Sequence, residues 1–513
     1  MVNWRSGNPV KYKKMLDRQG YWKVWLDNPR DAKKFLGIKK RKKDDFYVVE
    51  ANLVNAIVLN DLSLVKLPHA SIKEELLPKR LYPYQLADSI KMIEGVRILN
   101  LNRMGYGKTI EAIAALRAAG IRNAIVVAPK PILEQWKYQF DIWWHDHPEI
   151  AIVPNSPING INLYNYEQII IDKKLVLLRS RIWDAIVVDE SHRIKTPNTK
   201  RTRAATSIPA KFRYALTGTP ILKHPEDLFS QLRFLSPLYS GKSYYAFRDY
   251  FCDMKMGFFG EENKGLTKNT FRVDVLHKLL DIVAIRNPEK VLAQGKIEII
   301  EKLGMQPKQR KLYKDIVQLI LDELPEKANI PNGAVQAIRA QQATSCPSLF
   351  IEGVWGAKFE WIKMLLEDNP SEKIVVFSKF ATAVQELQKY LSKNKIESRL
   401  YIGDMNVQDR AISRTDFHDD KTVRVLAGTI ACIGEGVDGL QESSHICVFI
   451  DRPYSPEIKN QCEDRLNRPG QKEKVLCYFL ECSGTYDRHY GRVNETRAED
   501  IRRALQYDES DGA

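Results

Sequence analysis

Apolar positions along this chain fall into two alternating patterns. In short runs nearly every residue is apolar, and between them lie longer stretches with helical spacing. Residues 124–128 (AIVVA), 185–188 (AIVV), 374–377 (IVVF), 423–427 (VRVLA) and 446–450 (ICVFI) are of the first kind. Such runs read as strands buried on both faces, which is the condition of a parallel sheet covered by helices on each side. Residues 133–140 and 384–391 read as two of those helices, and 399–402 as a further strand. Ahead of them, 46–49 reads as a strand and 51–64 as a helix or strand–helix unit. Residues 221–345 carry mostly helical spacing. The pattern therefore predicts an α/β protein with two tandem strand–helix series, the second opening near Lys358. In sheets of this kind ligands bind at the carboxyl ends of the strands.

Those ends carry the candidate chemistry. A short strand (Ile98, Leu99, Leu101) runs into a turn with Gly105 and Gly107, then Lys108-Thr109 and an alanine-rich helix. Glycines let backbone N–H groups curl around phosphate oxygens at a helix N-terminus. Lys108 would reach the β- and γ-phosphates, and the Thr109 hydroxyl would hold Mg²⁺. Asn102 stands where the strict phosphate-loop pattern has its first glycine. The strand at 185–188 ends in Asp189-Glu190, one carboxylate for Mg²⁺ and one to polarise an attacking water. A further strand ends in Thr217-Gly218-Thr219, hydroxyls that could sense the γ-phosphate and pass its state to bound nucleic acid. Gln85, after a proline turn at 81–84, has the donor and acceptor an adenine edge needs. The second series has no such lysine. Its 434–438 (GEGVD) reads as a tight turn, and Gln461, Arg465 and Arg468 fall on one face if their segment is a helix. Planar, permanently charged guanidinium groups suit a developing phosphoryl charge. The second series would thus supply arginines to a nucleotide held by the first.

Composition narrows the partners. The chain has 513 residues, 44% of them hydrophobic, and no apolar run long enough to span a bilayer. Its first residues lack an apolar signal core, so export is not expected. Seven cysteines without a paired CxxC spacing point to a reducing compartment and away from zinc. The net charge of +15 points to a polyanion, most simply nucleic acid. Residues 1–50 hold fourteen Lys/Arg against six Asp/Glu, and 39–43 (KKRKK) stand near Trp4, Tyr12, Tyr21, Trp22 and Trp25. That mixture suits base stacking with phosphate attraction. A small accessory domain with a solvated basic face fits equally. The basic run also has the form of a nuclear import signal.

Taken in order, LYPYQ, MGYGKT, the segment from Pro129 to Trp136, LYNYEQI, DESHRIK, LTGTP with ILKHPEDLFSQLRFL, KIVVFSKF, the glycine turn at 434–436 and QCEDRLNRPGQ resemble the Swi/Snf-type DNA translocases of helicase superfamily two. The segments span roughly 78–490. The resemblance implies two tandem RecA-like parallel-sheet lobes, a helical insertion, and ATP hydrolysis with Mg²⁺ in the cleft between the lobes, coupled to stepping along double-stranded DNA. It places Gln85 as adenine reader, Gly105, Gly107, Lys108 and Thr109 in the phosphate loop, Asp189 and Glu190 as metal and water pair, and Arg465 and Arg468 as arginine fingers, with Gln461 beside the nucleotide. It implies nucleic-acid contacts at Lys130, Trp136, Asn165, Lys379 and Thr429, and coupling through Thr217 and Thr219. Three departures stand out: Asn102-Arg103 for an acidic pair, Ser191 for the alanine of DEAH, and GEGVDG for GGLGLN. The QCEDR form is nearest the branch that includes annealing helicases.

The expected domains are a basic N-terminal accessory domain (1–75), a first lobe (76–240), a helical insertion and connection (241–350), a second lobe (351–490), and a C-terminal helix with an acidic tail (491–513). Branched and single-stranded DNA are further substrates the resemblance allows. A compact cytoplasmic monomer of a bacterium, archaeon or virus, with no membrane association, is expected ahead of a nuclear remodeller. A strand-separating DNA or RNA helicase and a non-hydrolysing scaffold stay open as alternatives. The presence of Lys108, Asp189, Glu190, Arg465 and Arg468 disfavours the scaffold.

Overall fold

The protein is seen in a computed structural model that describes residues 15–16, 21–25, 29–40, 47–103, 105–222, 224–257, 260–286, 295–322, 331–436, 439–453, 455–468, 470–485, 487 and 503. The chain divides into two compact units, 1–289 with 499–513, and 290–498. Among the described residues no helix is long and apolar enough to cross a membrane.

The first unit is built on a seven-stranded parallel sheet. Its order is Ala284–Ile285, Arg97–Asn100, Ala210–Leu216, Trp183–Asp189, Ala124–Ala128, Ile161–Asn165, Ile150–Ile152. The continuous apolar runs have the cause anticipated for them. Ile125, Val127, Ile186 and Val188 bury into a core on one face, and Ala124, Val126, Ala185 and Val187 into a core on the other. Each fully buried Val or Ile contributes roughly 1.5–3 kcal/mol. The helices Lys108–Ala118 and Leu133–Trp143 cover the second face.

The N-terminal residues form a separate antiparallel sheet, ordered Met15–Leu16, Tyr21–Val24, Tyr47–Glu50, Lys39–Lys40. Trp22, Val24 and Val49 are buried, and they belong to the same core as the first face of the large sheet. The short helix Leu53–Val58, capped by Asn52, continues that core. The residues at 41–43, with Trp4 and Tyr12, lie outside the described residues.

The stretch 241–350 is less helical than its spacing suggests. It holds an antiparallel hairpin, Cys252–Gly257 with Gly260–Leu266, whose Phe258-Phe259 tip lies outside the described residues. It also holds the strand Lys296–Leu303. That strand is the edge of the second unit's sheet, so its charged side chains can face solvent and its alternation is blurred.

The second unit carries a six-stranded parallel sheet. Its order is Lys296–Leu303, Val475–Cys482, Ile446–Phe449, Ile374–Ser378, Val423–Thr429, Glu397–Tyr401. Phe377, Phe449 and Phe479 stack across three adjacent strands, with centroids 4.9 and 4.7 Å apart. Residues 434–436, read as part of a tight turn, instead close the helix Ile430–Gly436, and Val437 and Asp438 lie outside the described residues. The helix takes over because Ile430 and Ile433 bury one face in the core beside the sheet. The expected C-terminal helix and tail also lie outside the described residues, apart from Arg503.

Candidate active site

In the first unit, Leu216 lies opposite Asn100 on one neighbouring strand and Asp189 on the other. Three strand ends therefore open side by side. From the first runs the glycine turn, from the second the Thr217-Gly218-Thr219 turn, and from the third the Asp189-Glu190 pair.

The turn is shaped by Gly105 (φ +81°) and Gly107 (φ +88°), both left-handed, where a side chain is strained. A Cβ at Gly107 would also lie 2.3 Å from Gln85 Nε2. Gln85 is buried here, bracing the turn. Its Nε2 donates to the Tyr106 carbonyl at 3.2 Å, and its Oε1 accepts the Tyr82 N–H at 3.1 Å. The Lys108 ammonium folds back on the turn, donating to the carbonyls of Asn102 (2.9 Å) and Arg103 (3.1 Å). Thr109 stands in the first turn of the helix Lys108–Ala118.

The residue in place of the missing acid is tied down from behind. Asn102 Nδ2 donates to Asp88 Oδ2 at 2.7 Å and to both oxygens of Glu111 at 3.2 and 3.3 Å. Asn100 Nδ2 donates to Glu111 at 2.6 Å. Burial, then the charge of Asp88, pushes the Glu111 carboxyl up to about 8.

Asp189 is 7% exposed. Its Oδ1 accepts the Glu190 N–H at 2.9 Å and its Oδ2 accepts the Trp136 indole N–H at 2.8 Å. Burial, followed by the neighbouring Glu190, pushes its carboxyl up to about 6. Glu190 is a left-handed non-glycine residue (φ +50°, ψ +52°), a conformation that must be held from outside. The Tyr166 hydroxyl supplies part of that hold, donating to the Asp189 carbonyl and, at 3.2 Å, to the Glu190 carbonyl. His192 then bridges the two strand ends. Its Nδ1 lies 3.3 Å from Glu190 Oε2, 3.1 Å from Thr217 Oγ1 and 3.2 Å from Thr219 Oγ1. Ser191 adds a second tie, donating at 2.8 Å to Gln231, whose Nε2 donates to the Pro220 carbonyl at 2.6 Å.

In the second unit, Gln461 lies on the helix Pro456–Glu463, but Arg465 and Arg468 do not share it. The helix stops at Glu463, and both arginines sit in the turns that follow. Pro469 disfavours helical backbone at Arg468. The Gln471 carboxamide gathers the carbonyls of Gln441, Ser444 and Leu466 at 3.1, 2.9 and 3.4 Å, fixing the turn. Arg465 is buried and Arg468 half-buried.

Comparison with known proteins agrees with this layout. Residues 98–346 match the SNF2-related domain, and 357–470 match the helicase conserved C-terminal domain. The chain belongs to the SNF2-related helicase family. It is 26% identical over 435 residues to the SWI/SNF-related matrix-associated actin-dependent regulator of chromatin subfamily A-like protein 1 homolog of Caenorhabditis elegans, covering 81% of this chain and 61% of that protein. It is 27% identical over 434 residues to the human DNA annealing helicase and endonuclease ZRANB3, covering 80% of this chain and 39% of that protein. The chain thus spans about three-fifths of one relative's length and two-fifths of the other's. The solved Sulfolobus solfataricus SWI2/SNF2 ATPase core in complex with dsDNA is 21% identical, covering 86% of this chain and all of that one, with a TM-score of 0.38. The two parallel-sheet lobes are the tandem RecA-like fold of this family.

Of the five residues expected to touch nucleic acid in this SNF2-related chain, the structure leaves Lys130 exposed. Trp136 is 1% exposed and spends its N–H on Asp189, so it presents no face for a base. Asn165 is buried, its Oδ1 accepting the Gln168 N–H at 2.9 Å. Lys379 donates to Gln341 Oε1 at 2.8 Å, and Thr429 is buried at a strand end. The residues that sequence reasoning passed over are Tyr166, His192, Gln231 and Glu111. Tyr166, His192 and Gln231 stood inside quoted segments, but only the fold shows what each one touches.

Proposed function

We propose that this chain is a DNA-dependent ATPase that converts ATP hydrolysis into movement along duplex DNA, remodelling DNA or protein–DNA complexes. The observation that carries the reading is the shared register of three strand ends. It sets the Lys108 turn, the Asp189-Glu190 pair and the Thr217/Thr219 turn side by side. Lys108 exchanges its two carbonyls for the β- and γ-phosphates. Glu190 orients the attacking water. His192 lies against both Glu190 and the two threonines, so a change at the acidic pair is felt by the turn. Gln85 would meet the adenine edge only by giving up its bonds to the Tyr106 carbonyl and the Tyr82 N–H, with Gln461 beside the nucleotide, and Arg465 and Arg468 meet the charge developing on the transferred phosphoryl group. Membership of the SNF2-related family and the DNA-directed names of its relatives support DNA as the track.

The residues fit a magnesium ion. Asp189 is an oxygen ligand whose two accepted hydrogen bonds leave lone pairs on both oxygens, and Thr109 offers a hydroxyl on the adjoining helix. When bound, the ion would neutralise phosphate charge.

The test is ATP turnover by the full chain across duplex DNA, single-stranded DNA and RNA, with Lys108→Ala as control. Duplex DNA should stimulate most, and Lys108→Ala should abolish turnover while leaving DNA binding intact. Stimulation by single-stranded nucleic acid alone would favour the strand-separating reading. Equal turnover in the variant would remove Lys108 from the chemistry.

A further inference from the structure

The helix Leu133–Trp143 packs Leu133, Trp136 and Phe140 into the core on one face of the large sheet. An indole has a single polar group, a donor, and burial obliges it to find an acceptor. Here the acceptor is the carboxylate of Asp189, itself nearly enclosed, at 2.8 Å. The other carboxylate oxygen is held by the Glu190 N–H, and the main chain behind it by Tyr166. The carboxylate plane is thus fixed at both oxygens, one by the chain itself and one by a ring locked in the core.

We propose that Trp136 is a positioning residue for the divalent-cation site, orienting the Asp189 carboxylate through its indole N–H. The inference rests on the reading of Asp189 as the carboxylate that holds the cation. Partners that orient a metal-holding side chain from behind are typically worth 10- to 100-fold in metal affinity. The family resemblance implied a nucleic-acid contact at Trp136. Burial excludes that, and the donor's direction assigns it to the acidic site.

Trp136→Phe keeps an aromatic ring and removes the N–H. In the full chain with ADP, Mn²⁺ binding followed by electron paramagnetic resonance should weaken roughly 10- to 100-fold. ADP affinity measured in EDTA should stay within about two-fold, because a residue acting only on the cation has no metal-free effect. In an Asp189→Asn background the same substitution should no longer change Mn²⁺ affinity, whereas a merely structural role would persist there. If Asp189→Asn itself leaves Mn²⁺ binding unchanged, the reading of Asp189 fails. If Asp189→Asn weakens binding and Trp136→Phe does not, the Trp136 inference alone is overturned. Should Trp136→Phe fail to fold, the ¹⁵N-labelled tryptophan indole signals of the unmutated chain with ADP decide. One signal should move when Mg²⁺ is added and stay still in Asp189→Asn, and an unmoved set in the unmutated chain overturns the inference.

Discussion

Glu111 lies behind the glycine turn, one turn into the helix Lys108–Ala118, and shows what a single substitution in a motif demands of its neighbours. Where the family has an acid before the loop, this chain has Asn102, whose amide needs acceptors, and Asp88 and Glu111 provide them. Burial beside Asp88 raises the Glu111 carboxyl from its ordinary 4.5 to about 8. The folded state therefore keeps a proton that the unfolded chain releases above about pH 4.5. The associated stability is fully present below that pH and is lost as pH rises towards 8, by at most about 1.4 kcal/mol per pH unit. Glu111→Gln retains an acceptor for Asn100 and Asn102 and cannot ionise. Urea unfolding at pH 5, 6, 7 and 8 should show the unmutated chain weakening across the series more steeply than Glu111→Gln. Parallel curves would mean that Glu111 is already ionised in the fold.

The elements were legible to different degrees, for physical reasons. The strands Ala124–Ala128 and Ile374–Ser378 are apolar on both faces, and their shortness and Val/Ile content set them apart from buried helix. The edge strand Lys296–Leu303 has one neighbour among the described residues, and adjacent Ile299-Ile300 and Glu301-Lys302 break its alternation, so it hides in a helical-looking stretch. The arginine segment was misleading as geometry, because the helix stops at Glu463 and a helical wheel takes no account of Pro469. What positions the arginines is instead the helix before them. Lys459 pairs with Glu298 at 2.5 Å, and Lys296 pairs with the fully buried Glu463. That helix is thus clamped to the edge strand, and the turn carrying Arg465 and Arg468 leaves from a fixed end. If both arginines act on developing charge, Arg465→Ala and Arg468→Ala should each lower duplex-stimulated turnover about 10³-fold or more. Nucleotide affinity should change little. Lysine should not rescue either one, because it lacks the planar fork. Equilibrium nucleotide binding and single-turnover hydrolysis separate the two effects, and a loss confined to affinity would contradict the assignment.

At the scale of the whole molecule the question is what the proposed translocase does to DNA. A net charge of +15 favours phosphate contact with little sequence preference and steep salt dependence. Strand separation needs in addition a wedge that enters the duplex. In the second unit, the turn Leu440–Glu442 and the strand Ile446–Phe449 divide the chain between the helices Ile430–Gly436 and Pro456–Glu463 into stretches of at most six residues. At about 3.3 Å per residue, what remains is too short for two protruding strands. The first unit does carry a hairpin, Cys252–Gly257 with Gly260–Leu266, and among the described residues it is the candidate wedge. We expect the full chain to displace the third strand of a triplex in an ATP-dependent manner and to leave a long tailed duplex mostly paired. Both are read by gel assay under the same ATP and salt conditions. Efficient separation of the tailed duplex would refute the expectation. Its loss in a Phe258→Ala, Phe259→Ala double variant that still displaces the triplex strand would then identify the hairpin as the wedge.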